Sequence, residues 1–387
     1  MLEGVNVALG VSGSIAAVKT VELAHELRRE GASVRAVLTD AATGIVHPWA
    51  VEFATENDVV TEITGRVEHV ELCGREGWAD VLLVAPATAN TVGKMAAAID
   101  DTPVTTTATT ALGAGVPVVI APAMHEPMYD HPGVLASIER LEEWGVTFVD
   151  PRIEEGKAKI AAEEDVVTET ARRATPNPLE GRTVVVTSGA TSERIDPIRT
   201  LTNRSSGRTG RAVARACHVA GAEVVLVHDG PDVGYAEVRH AESAADMLEA
   251  VSAAVEEHDA DALVSAAAIS DYTVEASEEK IKSGEELTLE LTPTPKLIDT
   301  VREAHPALAI VGFKAETEGG ETALVERARE TLERVNLAFV VGNHAGVMGG
   351  EETRVVFVRA DSTREFEGSK SELGRLVAEE LAGELAE

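Results

Sequence analysis

Short apolar runs that alternate with helical segments are the feature that most limits how this chain can fold. Each run is bounded by turn residues and is long enough for one buried strand. The segment between the first two runs, residues 14–31, has helical spacing and ends at Gly31, a residue type that commonly terminates helices. Strands that alternate with helices favour a parallel sheet covered on both faces. The predicted strands of this first set are 5–10, 33–40, 78–90 and 116–124.

The same alternation restarts after residues 171–182 (ARRATPNPLEGR), where two prolines, an asparagine and a glycine interrupt the periodicity and predict a linker. We therefore predict two α/β domains, residues 1–175 and 176–387, each built on an open, mostly parallel sheet flanked by helices. The first is expected to be flavodoxin-like or Rossmann-like, and the second Rossmann-like. Ligands in such sheets bind beyond the carboxyl ends of the strands. The elements predicted for the second set lie at 183–190, 207–230, 260–272, 308–317 and 337–346.

Composition excludes several classes of partner. Lys plus Arg number 34 against 66 Asp plus Glu, which gives a net charge of −32. Such a charge repels nucleic acid and anionic membranes, and an acidic excess spread along the chain is typical of proteins from a high-salt cytoplasm. The two cysteines, Cys73 and Cys217, form neither a disulfide framework nor a zinc-binding spacing. Because the chain shows no N-terminal signal and no apolar run of the ~20 residues that span a bilayer, we expect a cytoplasmic protein.

Three loops of the first domain follow predicted strands and suit a ligand. Residues 10–19 (GVSGSIAAVK) form a Gly- and Ser-rich turn that opens a helix, which favours phosphate binding or simply a tight turn. Residues 85–96 (APATANTVGKMA) are small enough for a flat ligand to approach the backbone. Residues 121–133 (APAMHEPMYDHPG) crowd prolines, methionines and histidines at the same edge. A substrate clamp, plain loop packing and a metal site at His125 and His131 remain alternatives for this loop.

Several motifs together resemble known families. SGSIAA, EHVELCGREGWADVLLVAPATANTVGKMA and PAMHEPMY resemble the flavin-dependent cysteine decarboxylases. TSGATSERIDPIRTLTNRSSGRTG, AAAISDY with EKIKS, and GFKAET resemble phosphopantothenate–cysteine ligase. Their order and spacing resemble the fused, bifunctional coenzyme A biosynthesis proteins over essentially the whole chain.

The resemblance implies two consecutive reactions. Cysteine is ligated to 4′-phosphopantothenate through an acyl-cytidylate made from CTP, and the product is then decarboxylated to 4′-phosphopantetheine with FMN. It also implies Mg²⁺ on the nucleotide phosphates, with protein ligands unknown, and a homo-oligomer. Two alternatives share the first domain, a non-enzymatic regulatory flavoprotein and a flavin prenyltransferase, but neither needs the ligase motifs.

In the first domain the resemblance makes His69 the active-site base and Met124, His125 and Met128 the substrate clamp. Relatives carry Asn where this chain has His125, and bacterial members carry a cysteine proton donor on a flap. The matching flap, residues 150–167, has no cysteine, so Lys159 and Lys157 become candidate donors, with solvent as the alternative. Asp100–Asp101 replaces the Asn-Asp of relatives. The implied cofactor contacts are Ser12, Gly13, Ser14, Thr39, Ala85, Pro86, Ala87, Thr88 and Thr105.

In the second domain the resemblance makes Asn203 the residue that binds the acyl intermediate and Lys280 the lysine that meets the nucleotide phosphates. Relatives carry two further lysines at positions that match Thr331 and Val335 here, with Arg329 and Arg334 beside them. This departure bears on the triphosphate contacts and on the choice of CTP over ATP. The remaining implied substrate contacts are Ser205, Ser206, Gly207, Asp271, Pro295, Lys296, Leu297, Ile298 and Phe313.

Overall fold

The computed structural model describes residues 1–154, 157–282, 284, 286–316, 320–344 and 352–386. They divide into two compact units, Met1–Pro176 and Asn177–Glu387, so the division falls one residue after the predicted boundary. Among the described residues no helix combines the length and the apolar character needed to cross a membrane. The cytoplasmic location stays a prediction.

The first unit contains a five-stranded parallel sheet in the order β2-β1-β3-β4-β6. This order is that of flavodoxin-like sheets, whose ligand crevice lies where neighbouring connections diverge, at the carboxyl ends of β1 and β3. The strands are β1 Asn6–Val11, β2 Ser33–Leu38, β3 Val81–Ala87, β4 Val118–Pro122, β5 Met124–His125, β6 Thr147–Phe148, β7 Arg152–Glu154 and β8 Lys157–Lys159. A 3-10 helix, Ile15–Lys19, precedes α1 Thr20–Arg29, α2 Asp40–Thr43, α3 Pro48–Thr55, α4 Glu68–Cys73, α5 Ala89–Ala96, α6 Pro103–Ala114, α7 Glu126–Tyr129, α8 Pro132–Glu143 and α9 Glu163–Ala174.

The central strands of this sheet are apolar on both faces because helices cover both faces. Every residue of β3 is buried, as is every residue of β1 except the first. The strands therefore bring the loops that follow them to one edge, which is the edge predicted to bind ligands.

The flap region folds as an antiparallel hairpin. Strands β7 and β8 pair with each other, and β8 also pairs with β5, so the hairpin extends the clamp loop as a three-stranded sheet. The flap predicted over 150–167 is thus shorter, since residues from Glu163 onward belong to α9.

The second unit contains an eight-stranded sheet in the order β13-β12-β9-β14-β17-β18-β19-β20. The pairs involving β19 are antiparallel and the other pairs are parallel. Its strands, with those of two small ribbons, are β9 Thr183–Thr187, β10 Ser192–Arg194, β11 Thr200–Thr202, β12 Glu223–His228, β13 Glu237–His240, β14 Ala262–Ser265, β15 Tyr272–Val274, β16 Leu291–Pro293, β17 Ala309–Glu316, β18 Phe339–His344, β19 Glu352–Val358 and β20 Thr363–Ser369. The helices are α10 Arg208–Val219, α11 Ala244–Glu257, α12 Leu297–Ala304, α13 Gly320–Val335 and α14 Lys370–Ala386.

The two-domain α/β fold with mostly parallel sheets is confirmed, but the linker is shorter than predicted. Residues 171–174 complete α9, because the prolines that end the helix begin only at Pro176. Leu179 is fully buried in the core of the second unit, and its N–H donates to the carbonyl of Ala220 at 2.8 Å.

Candidate active sites

Hydrogen bonds join the strand-end loops of the first unit. Ser12, which is fully buried, donates through Oγ to the carbonyl of Pro86 at 2.8 Å, and the same Oγ accepts from the N–H of Thr88 at 3.0 Å. Ser14 donates through Oγ to the carbonyl of Ala123 at 3.2 Å. The loops after β1, β3 and β4 therefore meet at one edge of the sheet, as expected for a single ligand site.

Gly13 lies where no side chain fits. A Cβ at this position would stand 2.5 Å from Cβ of Ala41, in the first turn of α2. The N–H of Gly13 has no acceptor among the described residues. Thr39 accepts from the N–H of Ala42 at 3.2 Å and so caps α2. A crowded backbone with a free N–H, next to the buried small residues 85–87, suits the phosphate and flat ring of FMN.

Two other residues implied as cofactor contacts serve the starts of helices. Thr88 Oγ1 accepts from the N–H of Thr91 at 3.2 Å and caps α5. Thr105 and Thr102 form a reciprocal capping box at α6, with both N–H to Oγ1 distances at 3.1 Å. These bonds explain why threonine stands at both positions, and contact with a cofactor stays a prediction for each.

His69 lies in the first turn of α4, which packs against α6. The ring is partly buried, and its Nδ1 is buried with no hydrogen-bond partner among the described residues. One ring nitrogen is thus not committed to the protein's own structure, which is what a group that exchanges protons requires.

The clamp loop and the flap hairpin are one structural piece. In the register of the ribbon Met124 stands opposite Ala158, and His125 opposite Lys157. Met124 is half-buried, whereas His125 is exposed and Met128 is 48% exposed. Lys159 is the last residue of β8 and is partly buried.

A contact that the sequence did not indicate joins the start of α9 to the 3-10 helix that follows β1. Lys19, at the end of the 3-10 helix, forms an ion pair with Glu163, the first residue of α9, at 3.1 Å. Both residues line a small cavity together with Pro86 and Ile160. No local motif marks a pair that is separated by 144 residues.

In the second unit the loop after β9 leads through a ribbon to α10. A Cβ on Gly210 would stand 2.6 Å from Cβ of Ser188, so only glycine lets the helix pack this closely on the strand. The helix follows Gly207, whose φ is +69°, and no side chain caps it. The N–H groups of its first turn are therefore open toward the exposed Ser205 and Ser206, as a phosphate site requires.

The implied substrate residues of this unit fall into two groups. Asn203 is exposed and donates through Nδ2 to the carbonyl of Ala268 at 3.1 Å, while Asp271 and Lys296 form an ion pair. Pro295 is exposed at the start of α12. By contrast Leu297 is buried in one hydrophobic cluster of this unit, and Ile298 is partly buried against the same cluster. Phe313 is partly buried against the other cluster.

Helix α13 carries no lysine at Thr331 or Val335, the two positions that match the lysines of relatives. Val335 is buried in the core, and Arg334 forms an ion pair with Asp299 in the first turn of α12. Arg329 has a buried Nε with no partner among the described residues. Lys314 on β17, which the sequence analysis did not single out, places Nζ 3.4 Å from Oγ1 of Thr331. A lysine from the strand thus reaches the helix position that lacks one.

Lys280 is exposed on the loop between the strands β15 and β16. No group of three or more His, Cys, Asp or Glu side chains within the described ranges could hold a metal ion. The pair His125 and His131 therefore gains no third ligand there, and the protein ligands of Mg²⁺ stay unknown.

Comparison with known proteins identifies both units. Residues 1–175 match the family model Flavoprotein, and residues 179–385 match the DNA/pantothenate metabolism flavoprotein C-terminal domain. The coenzyme A biosynthesis bifunctional protein CoaBC of Thermococcus kodakarensis is 49% identical over 99% of this chain and 94% of that protein. The CoaBC protein of Bacillus subtilis is 36% identical over 92% of this chain and 91% of its own length.

The chain belongs to the CoaBC family.

As a CoaBC protein it is a bifunctional enzyme of coenzyme A biosynthesis, with phosphopantothenate–cysteine ligase and phosphopantothenoylcysteine decarboxylase activities, and it uses FMN. The resemblance drawn from the motifs is confirmed. Because the ligase-type half is present, a regulatory flavoprotein and a flavin prenyltransferase are both excluded as descriptions of the whole chain.

Two solved structures resemble parts of it. The DNA/pantothenate metabolism flavoprotein from Streptococcus pneumoniae is 26% identical and covers 52% of this chain and 99% of its own, with a TM-score of 0.47. The C-terminal domain of a CoaBC protein is 30% identical and covers 54% of this chain and 98% of its own, with a TM-score of 0.45.

Proposed function

We propose that residues 177–387 join cysteine to 4′-phosphopantothenate at the expense of CTP, and that residues 1–176 decarboxylate the product. The observations that support this proposal are the hydrogen bonds that join the loops after β1, β3 and β4 in the first unit, and the start of α10 in the second unit, which no side chain caps. A carboxylate cannot be attacked by an amine without a leaving group, and attack on CTP gives an acyl-cytidylate and pyrophosphate. Cysteine then displaces CMP, so atoms and charge balance.

In the ligase unit the open start of α10, with Ser205, Ser206 and Gly207, binds phosphate oxygens. Asn203 holds the acyl group through its amide, and Lys280 stabilises the charge that develops as pyrophosphate leaves. The ion-paired Asp271 and Lys296 face the nucleotide beside Phe313. Mg²⁺ enters with the nucleotide phosphates, as it commonly does in such sites.

In the decarboxylase unit the loops around Gly13 and residues 85–88 hold FMN, which supplies the two-electron oxidation of the substrate's thiol-bearing carbon. His69 takes a proton as the reaction begins. Met124 and His125 hold the substrate, with the flap hairpin paired against them. Lys159 returns a proton at the end, and solvent or His125 is the alternative donor.

Four exposed apolar side chains of the first unit, together called its apolar surface, support the expected homo-oligomer. Ile15 and Val18 on the 3-10 helix and Trp49 and Phe53 on α3 are between 59% and 79% exposed. Aromatic and β-branched side chains this exposed are typical of a surface that another subunit covers. We propose that a second copy of this chain covers it.

The proposal is tested by the release of pyrophosphate. The purified chain should release pyrophosphate from CTP only when 4′-phosphopantothenate is present. Asn203→Asp should abolish that release while FMN content and decarboxylation stay unchanged, because the altered residue lies in the other unit. Full ligation by Asn203→Asp would remove this residue from the site.

A further inference from the structure

Asp196 is a buried acid within the motif TSGATSERIDPIRTLTNRSSGRTG, and the sequence analysis assigned it no role. It lies in the turn between β10 and β11, its side chain is inaccessible to solvent, and the residue as a whole is 3% exposed. Its Oδ1 accepts from the N–H groups of Ile198 and Arg199, at 2.9 Å each. These two bonds close the turn, so one oxygen of the carboxylate accounts for the local fold.

The other oxygen serves a distant segment. Oδ2 of Asp196 accepts from the N–H of Ile281 at 3.1 Å and from Nε of Arg199 at 2.9 Å. Arg199 in turn donates through Nη2 to the carbonyl of Ile281 at 2.7 Å. Both polar groups of the Ile281 backbone are therefore held by one ion pair. Hydrogen bonds from the Arg199 guanidinium hold the pKa of Asp196 well below its usual range, so the carboxylate stays charged at neutral pH.

Ile281 follows Lys280 directly, and the same turn also holds the loop at an earlier point. The N–H of Ser277 donates to the carbonyl of Ile195 at 2.9 Å. The loop of residues 277–281 is thus fixed at both ends to residues 195–199. Lys280 itself is exposed and makes no contact among the described residues that would orient it.

The turn that contains Asp196 also leads along the chain to Asn203, the other residue proposed to act in the ligase reaction. From Arg199 the chain runs through β11 to Asn203, which bonds to the carbonyl of Ala268. One short segment therefore carries Asn203 in sequence and holds Lys280 through hydrogen bonds. Displacing a catalytic group by about 1 Å costs on the order of 100-fold in rate.

We infer that Asp196, together with Arg199, is a positioning residue that fixes Lys280 relative to Asn203. The inference rests on the proposed function of the ligase unit. It assigns no contact with substrate to Asp196, which acts through the backbone of Ile281.

The test is a double-mutant cycle on the full chain with FMN bound. Asp196→Asn can keep the turn through its remaining oxygen but loses the acceptor for Ile281. We expect kcat for phosphopantothenate-dependent pyrophosphate release from CTP to fall about 100-fold, with KM for 4′-phosphopantothenate changed less than about twofold. Lys280→Gln should also lose activity, and adding Asp196→Asn to Lys280→Gln should lower kcat little further, because both act through one group.

Arg194→Gln is the matched control, since it removes an exposed ion pair with Glu242 on the same ribbon without touching Ile281. It should keep kcat within about twofold of the unaltered chain. Decarboxylation measured on each sample reports whether the other unit is intact. If Asp196→Asn does not fold, Arg199→Lys replaces it, because lysine keeps the charge but cannot reach both Asp196 and Ile281.

The inference is overturned if Asp196→Asn keeps normal kcat, or if it lowers kcat equally in the Lys280→Gln background, which would be a purely structural effect. If the unaltered chain releases no pyrophosphate from CTP, the proposed function itself fails and the inference falls with it. If Asp196→Asn lowers kcat while Lys280→Gln stays fully active, Lys280 does not belong to the site and the inference fails. Pyrophosphate release by the unaltered chain would still support the ligase reaction.

Discussion

Asn203, Ser14 and His69 show how side chains proposed for the chemistry are held. Asn203 bonds to the carbonyl of Ala268, and Ser14 to that of Ala123. His69 leaves Nδ1 without a partner among the described residues. Substitutions at such positions remove a chemical group without opening a cavity in the core, so their effects should appear in rate rather than in stability.

His69→Asn should leave the chain folded and yellow but slow the release of CO2 from phosphopantothenoylcysteine. The loss of an acid–base group typically costs about 100- to 10,000-fold. Bound FMN is measured by its absorbance and CO2 release by a coupled assay. A change of less than about threefold would return His69 to the role of an ordinary, partly buried surface residue.

Thiol reagents should not inhibit decarboxylation. Cys73 and Cys217 are both buried, and burial raises the pKa of each thiol to about 12, so neither offers a thiolate near neutral pH. The measurement compares CO2 release before and after treatment of the native chain with iodoacetamide, with alkylation quantified by mass. Rapid loss of CO2 release that matches the labelling of Cys73 would contradict the expectation that no cysteine of this chain takes part in decarboxylation.

At the scale of elements the long strands were predictable and the short ribbons were not. Apolar runs such as residues 183–187 carry a clear periodic signal, whereas β7, β8, β10 and β11 have three residues each, too few for any period to show. The run predicted as one strand over 116–124 splits at Ala123, because its last residue joins the flap sheet instead. Contacts such as Ser14 with Ala123 span 109 residues and follow only from the assembled sheet.

The flap hairpin gives the element-scale prediction. Lys159→Gln should let CO2 leave but block the return of a proton, so the flavin absorbance should stay bleached and an unsaturated thiol should accumulate. Lys159→Arg is the control that separates charge from proton transfer, because arginine stays protonated and cannot donate.

If Lys159→Gln and Lys159→Arg both turn over normally, the proton comes from solvent or from His125. If only Lys159→Arg is active, the lysine supplies charge and not a proton. Single-turnover absorbance at the flavin band, with mass analysis of the thiol product, distinguishes these results.

At the scale of the whole molecule two independent α/β units of one chain carry consecutive reactions. Their order follows from substrate chemistry, because the amide made by the ligase is the compound that the decarboxylase consumes. The motifs identified both units from sequence, but they did not indicate the hydrogen bond between Ile281 and Asp196 or the ion pair of Lys19 with Glu163. Ion pairs and backbone bonds between distant segments leave no local pattern.

The assembly should depend on the apolar surface of the first unit. Trp49→Glu combined with Phe53→Glu places charges on that surface and should lower the molar mass measured by light scattering. Glu52→Gln, at an exposed position on the same helix, is the control and should leave the mass unchanged. An unaltered mass in the doubly substituted chain would show that another surface forms the oligomer.

The central claim is that one chain uses CTP to make the compound that it then decarboxylates. The most direct measurement supplies 4′-phosphopantothenate, cysteine and CTP to the purified protein and follows pyrophosphate, CMP and CO2 together. The account predicts one CMP and one pyrophosphate for each CO2, with 4′-phosphopantetheine as the product and no CO2 when CTP is omitted. Release of CO2 without CTP, or formation of AMP from ATP with CTP inactive, would contradict it.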